Sequence, residues 1–227
     1  MKKQMKIGTG VEEINNLLDG GYEADAITTI YGPAGAGKTN MAMLAALEIA
    51  KQGKKVIFVD TEGGFSVTRM QQLMQDYKKV IDKVVFLRPN DFEEQKKTIE
   101  KLKGLVNNKI GLIVVDTITM LYRLQRSFKE EDYNRDLGMQ MIALNEIARK
   151  HNIPVLLTSQ VYSSFEGRGV KIVGGDILNY VSKCLLEIEL LGKKRRLIMR
   201  KHRSIGCPKE LTFEIVKEGL VCEKGHN

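Results

Sequence analysis

The sequence predicts an α/β fold, a mostly parallel twisted sheet flanked by helices, and three observations predict it. Apolar, β-branched runs alternate with stretches of helical periodicity from residue 26 to residue 160, which is the pattern of right-handed β-α-β crossovers. The run 26–31 passes directly into Gly32-Pro33-Ala34-Gly35-Ala36-Gly37-Lys38-Thr39 and then into the Ala/Met/Leu-rich stretch 40–50. That is a strand, a glycine loop and a helix in succession. Finally, the apolar run 112–115 closes on an acid, Asp116.

The totals agree with this class. The chain has 227 residues, 43% hydrophobic and 28% charged, enough to bury one sizeable core and too apolar for a disordered chain. One domain over 1–227 is expected, with 1–25 as a short lead-in and no separate N-terminal domain. No apolar run approaches a membrane span, and the basic start 1–6 has no apolar signal core behind it; a cytoplasmic location is the expectation. The net charge of +8 favours polyanions as partners. Cys184, Cys207 and Cys222 are an odd number without C-x-x-C spacing, so reduced thiols are expected and neither a disulfide framework nor a zinc site.

In chain order, Val11, Ile14, Leu17 and Leu18 fall at helical spacing and Asp19-Gly20-Gly21 stops that helix. After the glycine loop and its helix, 56–60 is a strand, and Glu62 leaves its C-terminal end. The stretch 67–77 reads as a helix, 84–87 as a strand, 92–105 as a charged amphipathic helix, 111–116 as the strand ending in Asp116, 137–150 as a helix and 154–160 as a strand ending in Gln160. From about residue 184 the pattern changes to strand-like runs with short connections, 185–191, 195–200, 210–216 and 220–223. These suggest antiparallel strands at one edge of the sheet. The ten methionines fall mostly at helical spacing and read as core filler.

Gly32 to Thr39 satisfies G-x-x-x-x-G-K-[ST], in which the backbone N–H groups of a tight glycine loop converge on phosphate oxygens at a helix N-terminus. A glycine-rich turn that happens to precede a lysine is the alternative, and the strand and helix on either side argue against it. The predicted phosphate contacts are Gly32, Pro33, Ala34, Gly35, Ala36, Gly37, Lys38, Thr39 and Asn40, with Lys38 reaching the β- and γ-phosphates. Thr39 and Asp116 would hold Mg²⁺. Hydrolysis needs a group that orients or deprotonates water. Glu62 stands where such a carboxylate would stand, and equally where an idle turn glutamate would. Gln160, at the same sheet edge, is a candidate sensor of the γ-phosphate.

The motifs 32–39, Asp-Thr-Glu-Gly-Gly-Phe at 60–65, Leu-Ile-Val-Val-Asp at 112–116, Leu-Leu-Thr-Ser-Gln-Val at 156–161 and Val-Gly-Gly-Asp-Ile-Leu at 173–178 come in the order of the RecA-type recombinase core. Over nearly its whole length the chain resembles that family, closest to the archaeal and eukaryotic branch and to its short archaeal paralogues. The resemblance implies a RecA-like P-loop NTPase core binding ATP and Mg²⁺. It makes Lys38 and Thr39 the phosphate and metal ligands, Asp116 the Walker B acid, Glu62 the catalytic glutamate and Gln160 the switch residue. It assigns the segments 123–136 and 162–174 to two DNA-binding loops, and it sets Arg69 where the family carries an arginine after the glutamate motif. Two features of the family have no match: the N-terminal helical domain with its docking linker, and the aspartate that caps a neighbour's ATP. A homodimer is therefore expected ahead of a long filament, with weak, DNA-dependent or no hydrolysis.

Between residues 193 and 203 lie seven Lys/Arg and no acid. Lys193, Lys194, Arg195, Arg196, Arg200, Lys201, His202 and Arg203, with Arg126 and Arg168 from the two loops, are the candidate DNA contacts, salt-sensitive and sequence-independent. A charged edge hairpin protected against aggregation is the alternative for the cluster, and a solvated histidine that for His202. Phe128, Tyr133, Tyr162 and Phe165 could stack on unpaired bases or pack the loops down. Three functions fit: an ATP- and DNA-binding protein that assists the main recombinase in recombination and repair, a DNA-stimulated ATPase that exchanges strands, and a KaiC-like signalling ATPase without a DNA partner.

Overall fold

The strand that leads into the glycine loop lies in the interior of the sheet. The computed structural model describes residues 5–125, 130–163 and 170–223. Its elements are β1 (Lys6–Ile7), α1 (Glu12–Leu17), β2 (Tyr22–Glu23), β3 (Ile27–Gly32), α2 (Lys38–Lys51), β4 (Lys55–Asp60), α3 (Val67–Leu73), β5 (Val84–Leu87), α4 (Phe92–Leu105), β6 (Ile110–Asp116), α5 (Met120–Gln125), α6 (Glu130–His151), β7 (Val155–Ser163), β8 (Val170–Ile172), α7 (Gly175–Val181), β9 (Cys184–Leu191), β10 (Lys194–His202), β11 (Lys209–Val216) and β12 (Gly219–Cys222).

The main sheet has the order β12-β11-β10-β9-β3-β7-β6-β4-β5, with β8 antiparallel to β7, while β1 and β2 form a separate pair. From β5 through β9 the neighbours along this order are parallel, and β9 to β12 are antiparallel. The expected antiparallel edge is present, but it begins at β10. The helix α7 lets β9 enter parallel to β3, whereas the short turn after β9 permits only antiparallel return.

Helices cover both faces of the parallel part. One core layer joins α1 and α2 to the sheet, and the other joins α4, α5, α6 and α7. A strand buried on both sides has no polar alternation, and Leu112, Ile113, Val114 and Val115 of β6 are all fully buried. In α2, Ala42, Ala45 and Ala46 are fully buried too, small side chains that seat the helix close against the strands.

The helices α3 and α4 begin at side-chain caps. Ser66 Oγ accepts from Arg69 N at 3.2 Å, and Asp91 Oδ1 accepts from Glu94 N at 2.7 Å while Glu94 Oε2 accepts from Asn90 N at 2.8 Å. The helix expected over 67–77 stops at Leu73 and gives way to short 3₁₀ turns at Tyr77–Lys79 and Ile81–Lys83. The helix expected from 137 starts at Glu130, because its first turns are polar and carry no apolar stripe. Among the described residues no helix is long and apolar enough to cross a membrane.

Behind the 60–65 turn sits an aromatic cluster. The Phe58 ring lies 5.9 Å from that of Phe65 and 5.6 Å from that of Phe86, with Phe65 and Phe86 4.1 Å apart. Phe58 is fully buried. Phe58→Ala should lower the unfolding free energy by about 3–5 kcal/mol, measured by urea denaturation, through lost burial and the cavity left behind.

Candidate functional site

Parallel register brings the ends of four strands to one edge of the sheet. Gly32 of β3 is paired with Gln160 of β7, and Asp60 of β4 with Asp116 of β6. The glycine loop leaves this edge and turns into α2. Gly32 has no room for a side chain, since a Cβ there would stand 2.5 Å from Ile188 O. Gly37, the residue before α2, takes φ +104°, and a Cβ on it would meet Ile215 Cδ1 at 2.8 Å. Both glycines are therefore required by geometry.

Lys38 is buried at the start of α2, and its Nζ donates to Gly32 O at 2.9 Å and Pro33 O at 2.8 Å. Burial lowers its pKa, and the negative charges of Glu62 and Asp116 offset part of that shift. Asp116 is 1% exposed. Burial raises its pKa, and the nearby Thr158 and Thr39 hydroxyls pull it back. Thr158 Oγ1 donates to Asp116 Oδ1, while Asp116 Oδ2 is buried without a hydrogen-bond partner. An orphan carboxylate oxygen close to the Thr39 hydroxyl is a donor set that fits Mg²⁺, a hard cation usually held by one or two protein oxygens, waters and phosphates. Consistently, the described residues contain no group of three or more His, Cys, Asp or Glu side chains that would cage a metal by themselves.

Glu62 is tied down by its neighbours. Its Oε1 accepts from Gln160 Nε2 at 2.8 Å and from Thr117 Oγ1 at 3.2 Å. Asp60 shapes the turn that presents it, accepting from Gly64 N at 3.1 Å and Phe65 N at 3.4 Å. Thr61 Oγ1 in turn donates to Thr117 O at 2.7 Å and accepts from Thr117 N at 2.9 Å, locking the ends of β4 and β6 together. The structure thus gathers Lys38, Thr39, Glu62, Asp116 and Gln160 at one place. Sequence reasoning missed Thr117, Thr158 and Thr61. The signal for Thr158 was its place two residues before Gln160 on the same strand face.

A phosphate loop after an interior strand of a parallel sheet, with a buried carboxylate ending a strand two places away, defines a RecA-like P-loop core. The Rad51 family model matches residues 1–223, and the chain belongs to the Rad51 family. It is 42% identical over 217 residues to the DNA repair and recombination protein RadB of Methanobrevibacter smithii, covering 92% of each chain, and 39% identical over 211 residues to RadB of Methanococcus maripaludis, covering 91% of this chain and 96% of that one. A crystal structure of the RadB recombinase superposes with a TM-score of 0.81 at 32% identity, covering 94% of this chain and 98% of that one.

The basic segment is not one patch. It runs along β10, with Lys194 opposite Leu191 and His202 opposite Cys184, which itself pairs with Thr28 at the start of β3. Its two ends therefore lie roughly 25 Å apart along the strand, and only the turn at 192–193 lies at the phosphate-loop edge. Four of its seven cations have carboxylate partners: Lys194 pairs with Glu223, Arg196 with Glu189, Arg200 with Glu187 and Glu189, and Arg203 with Glu23 and Asp25. Lys201 Nζ donates to Asn179 O. Lys193 and Arg195, flanking the turn, have no ion pair among the described residues. Arg126, Arg168, Phe128 and Phe165 lie outside the described residues.

His202 is not solvated. Its side chain is 1% exposed, and Nδ1 accepts from Ser204 N at 3.2 Å and Ile205 N at 3.1 Å. Burial lowers its pKa from the usual 6.5, with Glu23 opposing and Lys6 and Arg203 reinforcing the shift. Because the folded pKa is depressed, the stabilising effect of a neutral His202 is complete above pH 6.5 and is lost as pH falls toward the folded value. Thermal unfolding followed across this window should show a midpoint that drops on acidification in the wild type and drops less in His202→Gln. If Asp116 and Thr39 hold Mg²⁺ beside a bound nucleotide, Asp116→Asn should remove the Mg²⁺ dependence of ATP affinity, weakening binding in Mg²⁺ by about tenfold or more, equivalent to roughly 1.4 kcal/mol, as read by calorimetry with and without the cation.

Proposed function

We propose that the protein binds ATP with Mg²⁺ and binds single-stranded DNA, and that it assists the main recombinase of homologous recombination and repair. Nucleotide acts mainly as a conformational ligand and hydrolysis is weak or absent. The names of its relatives, DNA repair and recombination protein RadB, support the process. The site residues support the chemistry. The loop amides and Lys38 meet the phosphates, and Thr39 and Asp116 hold the cation, which when bound neutralises phosphate charge.

One observation carries the reading: the 2.8 Å hydrogen bond from Gln160 Nε2 to Glu62 Oε1. It joins the side chain best placed to face the terminal phosphate to strand β7, and β7 continues through Val161 to Tyr162. Val161 packs toward the core while Tyr162 is exposed. Tyr162 borders a hollow of about 410 Å³ lined also by Tyr122, Asn134, Gly174, Gly175, Asp176 and Ile177. An exposed ring over a polar hollow at the base of both loop segments is suited to stacking an unpaired base. A phosphate that draws Glu62 or Gln160 out of their bond shifts β7 beneath that ring, so ATP favours whichever state it binds better. The partner would be an archaeal RadA-like recombinase, and a homodimer is the largest self-assembly this reading requires.

The decisive experiment measures single-strand affinity by fluorescence anisotropy without nucleotide, with ADP, and with ATP plus Mg²⁺ on one preparation. The expected result is a nucleotide-dependent affinity, uncoupled in Gln160→Ala and weakened in every state by about 1–3 kcal/mol in Tyr162→Ala. Brisk DNA-stimulated turnover lost in Glu62→Gln would favour the strand-exchange enzyme, and absence of DNA binding at low salt would favour the signalling ATPase.

A further inference from the structure

Thr117, which follows Asp116 and to which the nucleotide reading gives no task, is 1% exposed. Its hydroxyl makes two hydrogen bonds of opposite sense. It donates to Glu62 Oε1 at 3.2 Å and accepts at 3.1 Å from Met120 N, the amide that opens α5. A helix leaves its first amides without intrahelical acceptors, and here a side chain bound to the glutamate supplies one. Glu62 Oε1 is also the atom that receives Gln160 Nε2 at 2.8 Å. One carboxylate oxygen therefore takes a donor from the end of β7 and a donor from the root of α5.

Those two elements wall the same hollow. Tyr162 comes to it from β7 and Tyr122 from α5, and the Tyr122 hydroxyl donates to Asn134 Oδ1 of α6 at 2.5 Å. The turn between Thr117 and α5 is anchored from behind. Ile118 N donates to Thr158 O at 3.1 Å, and Gln95 Nε2 donates to Ile118 O at 3.1 Å. Thr61 Oγ1 fixes the Thr117 backbone through both its N–H and its carbonyl. A change at Glu62 must then travel through the Thr117 side chain, because the backbone around it is held.

We propose that Thr117 is a positioning residue that makes α5 follow Glu62, so that a nucleoside triphosphate in the glycine loop acts on both walls of the hollow and not on β7 alone; this rests on the loop being a nucleotide site. A terminal phosphate repels the Glu62 carboxylate and turns it away from its two donors. Gln160 is half-buried and can give its amide to water instead. The Thr117 hydroxyl cannot, and a buried donor left unmet is costly. With its backbone fixed, Thr117 recovers an acceptor only by rotating to another staggered χ1 position, which carries Oγ1 away from Met120 N. The first turn of α5 then loosens, and Tyr122 with the segment from 123 is freed to reseat. Threonine suits this task because its hydroxyl donates and accepts at once, whereas valine fills the same space and does neither.

The test is hydrogen–deuterium exchange of residues 120–125 without DNA, with and without a non-hydrolysable ATP analogue plus Mg²⁺, and calorimetry of the analogue on the same preparation. In the wild type the analogue should speed exchange of this segment by about tenfold. Thr117→Val should exchange fast in both states, Thr117→Ser should respond as the wild type does, and Gln160→Ala should keep the response, since the strut does not pass through β7. Glu62→Ala should exchange fast without nucleotide although it touches no residue of α5, and it decides the matter if the valine variant fails to fold. The proposal is overturned if the analogue binds the wild type and leaves exchange of 120–125 unchanged, if the response survives in Thr117→Val, or if α5 stays slow in Glu62→Ala, as a merely structural cap would. Absence of binding heat in the wild type overturns it together with the nucleotide reading, and calorimetry tells these failures apart.

Discussion

Everything at the site depends on the register of parallel strands. A parallel sheet delivers all its strand ends to one edge, and because side chains alternate with period two, a slip of one residue would turn each functional side chain to the opposite face. Gly32 opposite Gln160 and Asp60 opposite Asp116 are thus a statement about position to within one residue. That register is enforced by burial on both faces, where the continuous apolar runs of β3, β4, β6 and β7 interlock with α2 on one side and α6 on the other. Asp116 and Gln160 lie within the paired strands and Glu62 two residues beyond β4, so their separation is set by the strands and very little by the loops.

Within that frame, two groups of opposite charge are each disfavoured by their surroundings. Lys38 has its pKa lowered by burial and Asp116 has its pKa raised. Each loses solvation on folding, and attraction between them returns part of it. Lys38 satisfies its ammonium with two loop carbonyls, whereas Asp116 keeps one oxygen without a partner. The arrangement therefore offers a positive group to an anion and an unsatisfied oxygen to a cation, separated by the start of one helix. A triphosphate with its divalent ion has that polarity, and binding it would relieve both burdens together.

The fold was legible because its signals are local and strong. A glycine loop between a strand and a helix, and an acid ending an apolar strand, survive any rearrangement of the rest, and the strand spacing gave the parallel sheet. Where the reading strayed, the relevant information was non-local. Nothing in residues 185–191 says that β9 lies parallel to β3, because that depends on α7 carrying the chain across. The polar first turns of α6 carry no periodicity to announce a helix. The hydroxyls of Thr117 and Thr158 matter through partners 55 and 42 positions away in sequence. Such pairings are visible only once the sheet has folded.

The basic strand teaches the same lesson about charge. Seven cations in eleven residues look like a field when the chain is written as a line, but cross-strand geometry decides what they face. Arg196 stands directly opposite Glu189 on β9, and Arg200 reaches Glu187 and Glu189 on that strand. Like the Arg203 pairs with Glu23 and Asp25, these are opposite charges supplied by segments distant in sequence. The more exposed pair of Arg196 with Glu189 contributes little to stability individually, whereas Glu187 and Glu23 are buried and would be left as uncompensated buried charges without their arginines; together the pairs cancel field and keep the outer strands of the sheet polar, which discourages edge-to-edge association. Among the described residues the cations without a carboxylate partner are then Lys193 and Arg195, beside the turn at the phosphate-loop end of β9, and Lys201 toward the other end of β10, which bonds only a backbone carbonyl. A polyanion attracted to this protein by charge would accordingly meet two unpaired cations beside the edge that also carries Gln160 and Tyr162, and one toward the opposite end of β10.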